Sequence, residues 1–212
     1  MSQTAAFIAQ LTNNRRFGPG ERARLRALAG RGLNENTPGF DLFTGLWWPL
    51  RKKNQTAPRR EVAWLIAKLY AACSIPHVRP EGGKGPPLAQ VLGGFEPREP
   101  HLKARFRRRF DALLCTPLSG LEPHLHWALS VVADAVKHDR AQGLDWVQLL
   151  DHLSVWDRGD EYRLERDIRD IWAEDYLNAV RCRASTLTPK GADYADRDPY
   201  DPEPQPVEPE SR

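Results

Sequence analysis

The chain has 212 residues, 41% of them hydrophobic and 28% charged. That length suits one domain, and that composition supports a packed core. No apolar run approaches the ~18 residues a membrane helix needs, and the opening MSQTAAFIAQ lacks the basic and apolar regions of a secretory signal. The cysteines at 73, 115 and 182 are scattered and show no C-x-x-C, which argues against a disulfide frame or a zinc site. The expectation is a cytoplasmic protein with reduced thiols and no membrane partner.

Lys and Arg number 31 against 28 Asp and Glu, a net charge of +3 that is unevenly spread. From Thr188 onward three bases face seven acids, so this stretch carries −4 and the rest of the chain +7. Most of the basic excess is arginine. Arginine grips phosphate bidentately and stacks on bases, so the bias fits a polyanion partner. It fits a GC-rich genome equally well.

FIAQL opens a first short helix, and GERARLRALAG is a second that Gly30 should stop. PGFDLFTGLWWPL follows, with Pro38 suited to a first helical position. PRREVAWLIAKLYAAC is strongly apolar, with Val62, Leu65, Ile66 and Leu69 on one face. IPHVRPEGGKGPP reads as an exposed loop, in which Arg79 and Lys84 could order on a polyanion. A short helix is expected from Leu88 to Leu92, and another begins after Pro97 or Pro100.

Further on, Ser119 with Glu122 has the spacing of a capping box, as do Asp145 and Gln148. DEYRLERDIRDIWAEDYL places Leu164, Ile168, Ile171 and Trp172 on one stripe, with Glu165 and Arg169 spaced as a favourable ion pair. The proline-rich, acidic end cannot bury enough surface to offset its ordering entropy. The expected architecture is an all-α bundle of about eight or nine helices over residues 1–186, with a disordered acidic tail at 187–212.

HLKARFRRRFDALL, residues 101–114, carries the densest charge. At about 100° per residue, Leu102, Phe106, Phe110 and Leu113 form a core stripe. Arg105, Arg108 and Arg109 fall opposite, with Lys103 and Arg107 on a flank and Asp111 the one nearby acid. Like charges four apart oppose helix formation, and ordinary surfaces intersperse acids. The face is therefore either a solvated basic surface or a phosphate-facing one. Arg22 and Arg26, the RKK at 51–53, and Arg59 with Arg60 repeat the pattern, as an extended backbone track would require.

Catalytic signatures are missing. His124 and His126 are two apart, so a helix turns them to different faces and they cannot readily share a metal. No Walker A, G-x-G-x-x-G or nucleophile elbow is present. Acids near the end alternate with arginines, as on a salt-bridged surface. The tryptophans at 127, 146, 156 and 172 suit the core. Neither an enzyme nor a cofactor is expected.

The order of GERARLRALAG, RFRRRFDALL, GLDWVQLLDHLSVW and IRDIWAEDYL resembles the CasB family, the small subunit of the type I-E CRISPR Cascade complex. The most specific part is LDW…LL.HL..W followed by a helix ending WA.DYL. The resemblance runs from about Ala6 to Leu177 and leaves out the acidic tail. It implies a non-catalytic, all-α subunit that grips the backbones of CRISPR RNA, target DNA and the displaced strand. Its partners would be the other Cascade subunits and further copies of itself.

Arg26 matches the family's A-x-L-R arginine, although Ala27 stands where a second arginine is common, and Arg108 with Arg109 match its basic pair. Relatives tend to carry arginines where His124 and Trp127 occur here. The expected phosphate contacts are Arg22, Arg26, Arg105, Arg107, Arg108 and Arg109, with Lys52, Lys53, Arg59 and Arg60 as a second set. The alternative is a helical adaptor whose basic faces meet acidic protein surfaces.

Overall fold

A computed structural model describes residues 2–13, 17–33, 43–45, 47–48, 50, 58–158 and 165–187. The architecture is all-α. Among the described residues the one β-pairing is an isolated parallel bridge between His77 and Leu144.

Helix α1 (Gln3–Thr12) starts where the Ser2 hydroxyl accepts from the Ala5 amide at 3.1 Å. Helix α2 (Pro19–Arg26) opens with proline at its first position, and the Glu21 carboxylate reaches back to the Gly18 amide at 3.0 Å. The chain turns away through Gly30, whose φ of +76° suits glycine.

Helix α3 (Arg60–Cys73) occupies the centre: every residue from Val62 to Ala71 is buried. It packs against α2, against α6 (Glu122–Lys137) and against α7 (Trp146–Ser154). Its buried Lys68 donates to the Arg31 carbonyl at 2.8 Å and to Glu122 at 2.6 Å. Glu122 also accepts from the Gly30 amide at 2.9 Å. One buried cation thus joins the turn after α2, the middle of α3 and the start of α6, with partners that offset its desolvation.

Helix α4 (Leu88–Gly94) lies against α8 (Ile168–Leu187). The approach is so close that a Cβ on Gly93 would come within 2.3 Å of the Tyr176 carbonyl oxygen. Helix α5 (Pro100–Cys115) buries Phe106, Phe110 and Leu113. Phe110 stacks on Tyr176 of α8 at 4.2 Å between centroids, and Phe106 meets Trp127 of α6 edge-on at 5.2 Å. Helix α7 starts at Asp145, which is fully buried and accepts from the Val147 and Gln148 amides. Trp146, Trp156 and Trp172 are all buried, as expected of core residues.

Five local expectations change. Ser119 does not cap α6: residues 118–120 form a 3-10 turn, Leu121 holds the cap position, and Glu122 is committed to Lys68. Leu102 is 40% exposed rather than part of the core stripe. The loop at 75–87 is tied down, because the second oxygen of Asp145 accepts from the Gly85 amide at 2.9 Å and Val78 bonds the Leu144 carbonyl. Arg169 pairs with Asp157 at 2.8 Å and donates to the Leu114 carbonyl, linking α8 to the end of α5 instead of to Glu165. Helix α8 also begins later and runs further than its apolar stripe suggests. Pro38, Leu164 and the acidic segment beyond Leu187 lie outside the described residues.

Candidate nucleic-acid interface

The arginines of α5 divide into two groups with different surroundings. On one side the Arg107 guanidinium engages both oxygens of Glu96, through Nε to Oε1 and through Nη2 to Oε2 at 3.3 Å. Lys103 stands 3.4 Å from the same carboxylate. The Tyr176 hydroxyl donates to it at 2.7 Å, and Arg183 donates to the Glu96 carbonyl. Glu96 is only 5% exposed. Burial pushes its carboxyl up, but the hydrogen bonds from Arg107 and Tyr176 outweigh that and hold it below the usual carboxylate value. Burial also pushes the Tyr176 hydroxyl up, and its bond to Glu96 adds to the rise.

On the other side Arg105, Arg108 and Arg109 line an open groove of about 600 Å³ between α5 and α6. Ala112 and Pro123 form part of its apolar wall, with His124 and Trp127 completing it. The Arg109 guanidinium lies 5.7 Å from the centre of the Trp127 ring, a cation–π distance. Among the described residues no carboxylate lies within ion-pair distance of these three arginines. The charge is held in place by the core stripe beneath it. Phe106, Phe110 and Leu113 fix the rotation of α5, and that rotation turns residues 105, 108 and 109 outward.

Among the described residues, the other expected contacts do not join this groove. Arg22 is half-buried, its guanidinium 5.5 Å from the Tyr70 ring. Arg26 donates from Nε and Nη2 to the Ala71 carbonyl at 3.2 and 3.1 Å, and so holds the last turn of α3. Arg59 precedes α3 and stands 3.9 Å from Glu61. Arg60 is exposed beside an aromatic hollow formed by Phe43, Trp47 and Trp48. Lys52 and Lys53 lie outside the described residues. Arg79 folds onto its own loop, donating to the Gly83 carbonyl at 3.2 Å.

His124 and Trp127 are the groove residues that sequence reasoning did not assign to a site. They are three apart on α6, a spacing that puts both on one face. That spacing was visible, but a tryptophan within an apolar run reads as core. Trp127 is in fact only half-buried.

The chain shares its fold with several solved proteins. CasB from M. ruber aligns with a TM-score of 0.64 and 20% identity, covering 88% of this chain and 98% of that one. A Cse2-family CRISPR-associated protein from Thermus thermophilus aligns at 0.60 and 22% identity, over 84% and 99%. A chain of a CRISPR RNA-guided surveillance complex aligns at 0.58 and 17% identity, over 87% and 96%. No curated protein matches the sequence. The family profile described as CRISPR-associated protein Cse2 matches residues 21–177, from the first turn of α2 well into α8, and the chain therefore belongs to the Cse2 family.

Proposed function

We propose that the chain is the non-catalytic small subunit of a type I-E CRISPR Cascade ribonucleoprotein. In this reading it grips the backbone of CRISPR RNA, target DNA or the displaced strand, while base pairing to the guide reads the sequence. Membership of the Cse2 family supports the assignment, as does the likeness to a chain of an RNA-guided surveillance complex. The observation that carries it is the convergence of Arg105, Arg108 and Arg109 on one groove with no carboxylate at ion-pair distance among the described residues. Three clustered guanidiniums repel one another, and a bound polyanion is what makes the cluster favourable.

Of the other arginines, Arg107 and Arg26 act as scaffold, because each commits two nitrogens to a partner within the fold. Arg22, Arg59 and Arg60, with Lys52 and Lys53, serve as flanking contacts. The test is double charge reversal, Arg108→Glu with Arg109→Glu, in reconstituted Cascade. Target-DNA retention is lost while the complex still assembles. Failure of assembly instead would favour an adaptor role for the same face.

A further inference from the structure

The groove is not a purely ionic surface, and its aromatic residue has a second neighbour. Trp127 also lines an adjoining hollow, formed with Phe95 at the end of α4 and Arg140 beyond α6. The two hollows are built alike. In the first, the Arg109 guanidinium lies 5.7 Å from the Trp127 ring centre. In the second, the Arg140 guanidinium lies 5.6 Å from the Phe95 ring centre. Neither ring is fully buried, and Trp127 is the wall they share.

Their charge differs. Arg105, Arg108 and Arg109 have no carboxylate near them among the described residues, whereas Arg140 is paired with Asp134 at 2.8 Å. The first hollow is cationic and the second close to neutral.

We propose that these paired hollows form a track for unpaired bases, with phosphates held by Arg105, Arg108 and Arg109 and bases stacked on Trp127 and Phe95. This deepens the proposed function by adding base stacking on two named rings to the backbone grip, and it rests on that reading. In a duplex both faces of each base are hidden by its neighbours, so a protein ring can stack only on a base that has left the helix. A polyanion grip alone requires no aromatic residue. The Asp134 carboxylate repels a phosphate from the second hollow, which leaves a neutral, flat base as the fitting occupant there.

The test compares fluorescence-labelled oligothymidylate of about 12 nucleotides with an abasic oligomer of the same length, both titrated with the full-length chain. The two carry the same phosphates and differ only in their bases. Oligothymidylate binds about tenfold or more tighter than the abasic oligomer. Trp127→Leu, which keeps apolar packing against Phe106, removes most of that difference by weakening oligothymidylate far more than the abasic oligomer. Trp127→Phe retains the preference. Equal affinity of the wild-type chain for the two oligomers, both steeply salt-dependent, overturns the stacking track and leaves the backbone grip standing. No salt-dependent binding of either overturns both. A Trp127→Leu chain that loses both oligomers equally overturns the role of Trp127 as a platform.

Discussion

The two sides of α5 carry the same residue types in opposite surroundings. Arg107 meets a buried carboxylate, a tyrosine hydroxyl stands beside it, and the guanidinium is half-buried. Arg108 and Arg109, one and two residues further on, are exposed and border a groove. Helical geometry makes the difference, since each residue turns the side chain by about 100°. An arginine run is therefore not one functional unit. Neighbours in sequence can serve folding and binding separately, and only the partners on each side tell them apart.

The sharpest way to break this comparison is to remove the buried acid. Glu96→Ala leaves Arg107, Lys103 and the Tyr176 hydroxyl without their shared acceptor at the junction of α4, α5 and α8. Unfolding in urea should show a loss of about 3 kcal/mol or more. Arg107→Ala should cost less, because Lys103 and Tyr176 still satisfy the carboxylate. If Glu96→Ala melts like the wild type, Arg107 is not a scaffold residue and returns to the pool of candidate contacts.

The histidines offer a parallel contrast, with an effect of similar or smaller size. His124 and His126 border or leave the groove, whereas His152 sits inside the fold and its Nδ1 accepts from the Trp172 indole at 2.8 Å. Burial pushes His152 down to about 4, with Lys84 adding to the fall and Asp145 opposing it. The unfolded chain thus binds a proton more readily than the folded one between pH 6.5 and about 4. Stability is complete above that window and lost as pH falls through it, by up to about 3 kcal/mol. Glu96, held below its ordinary value of 4.5, adds acid lability only lower down. His152→Asn keeps an acceptor for the indole and should flatten the curve between pH 7 and 4.5. An unchanged acid slope in this variant would place the lability elsewhere.

These contrasts also mark what the sequence could show. Hydrophobic period placed Phe106, Phe110 and Leu113 in the core and therefore turned the arginines outward, as observed. The same period put Leu102 inside, because periodicity identifies a face but not how far along the helix a neighbour covers it. Asp145 was legible as a cap, since the bonds it makes are local. Glu122 was misread for the opposite reason: its partners, Lys68 and Gly30, are 54 and 92 residues away. Glu96 gave no signal at all, because eleven residues separate it from Arg107 and no helix spacing joins them. Trp127 was assigned by type to the core, yet it is only half-buried. Local chemistry was readable, and pairings set by packing were not.

The smallest effect on stability is the most informative about binding. Arg108→Ala and Arg109→Ala remove exposed side chains with no ion pair among the described residues, so each should shift unfolding by no more than about 0.5 kcal/mol. The Arg109 contact with Trp127 is a weak exposed one and falls within that range. Binding is read on a different axis. Each phosphate neutralised on a single strand contributes about 0.7 to the slope of log affinity against log salt concentration. Three arginines give the groove a slope of about −2, and each alanine should bring it closer to zero by about 0.7. Arg107→Ala, its stability loss aside, should leave the slope unchanged because its guanidinium is already engaged by Glu96. An Arg107→Ala chain that loses slope as Arg108→Ala does would mean that both sides of α5 face the polyanion, and that the ion pair with Glu96 opens on binding.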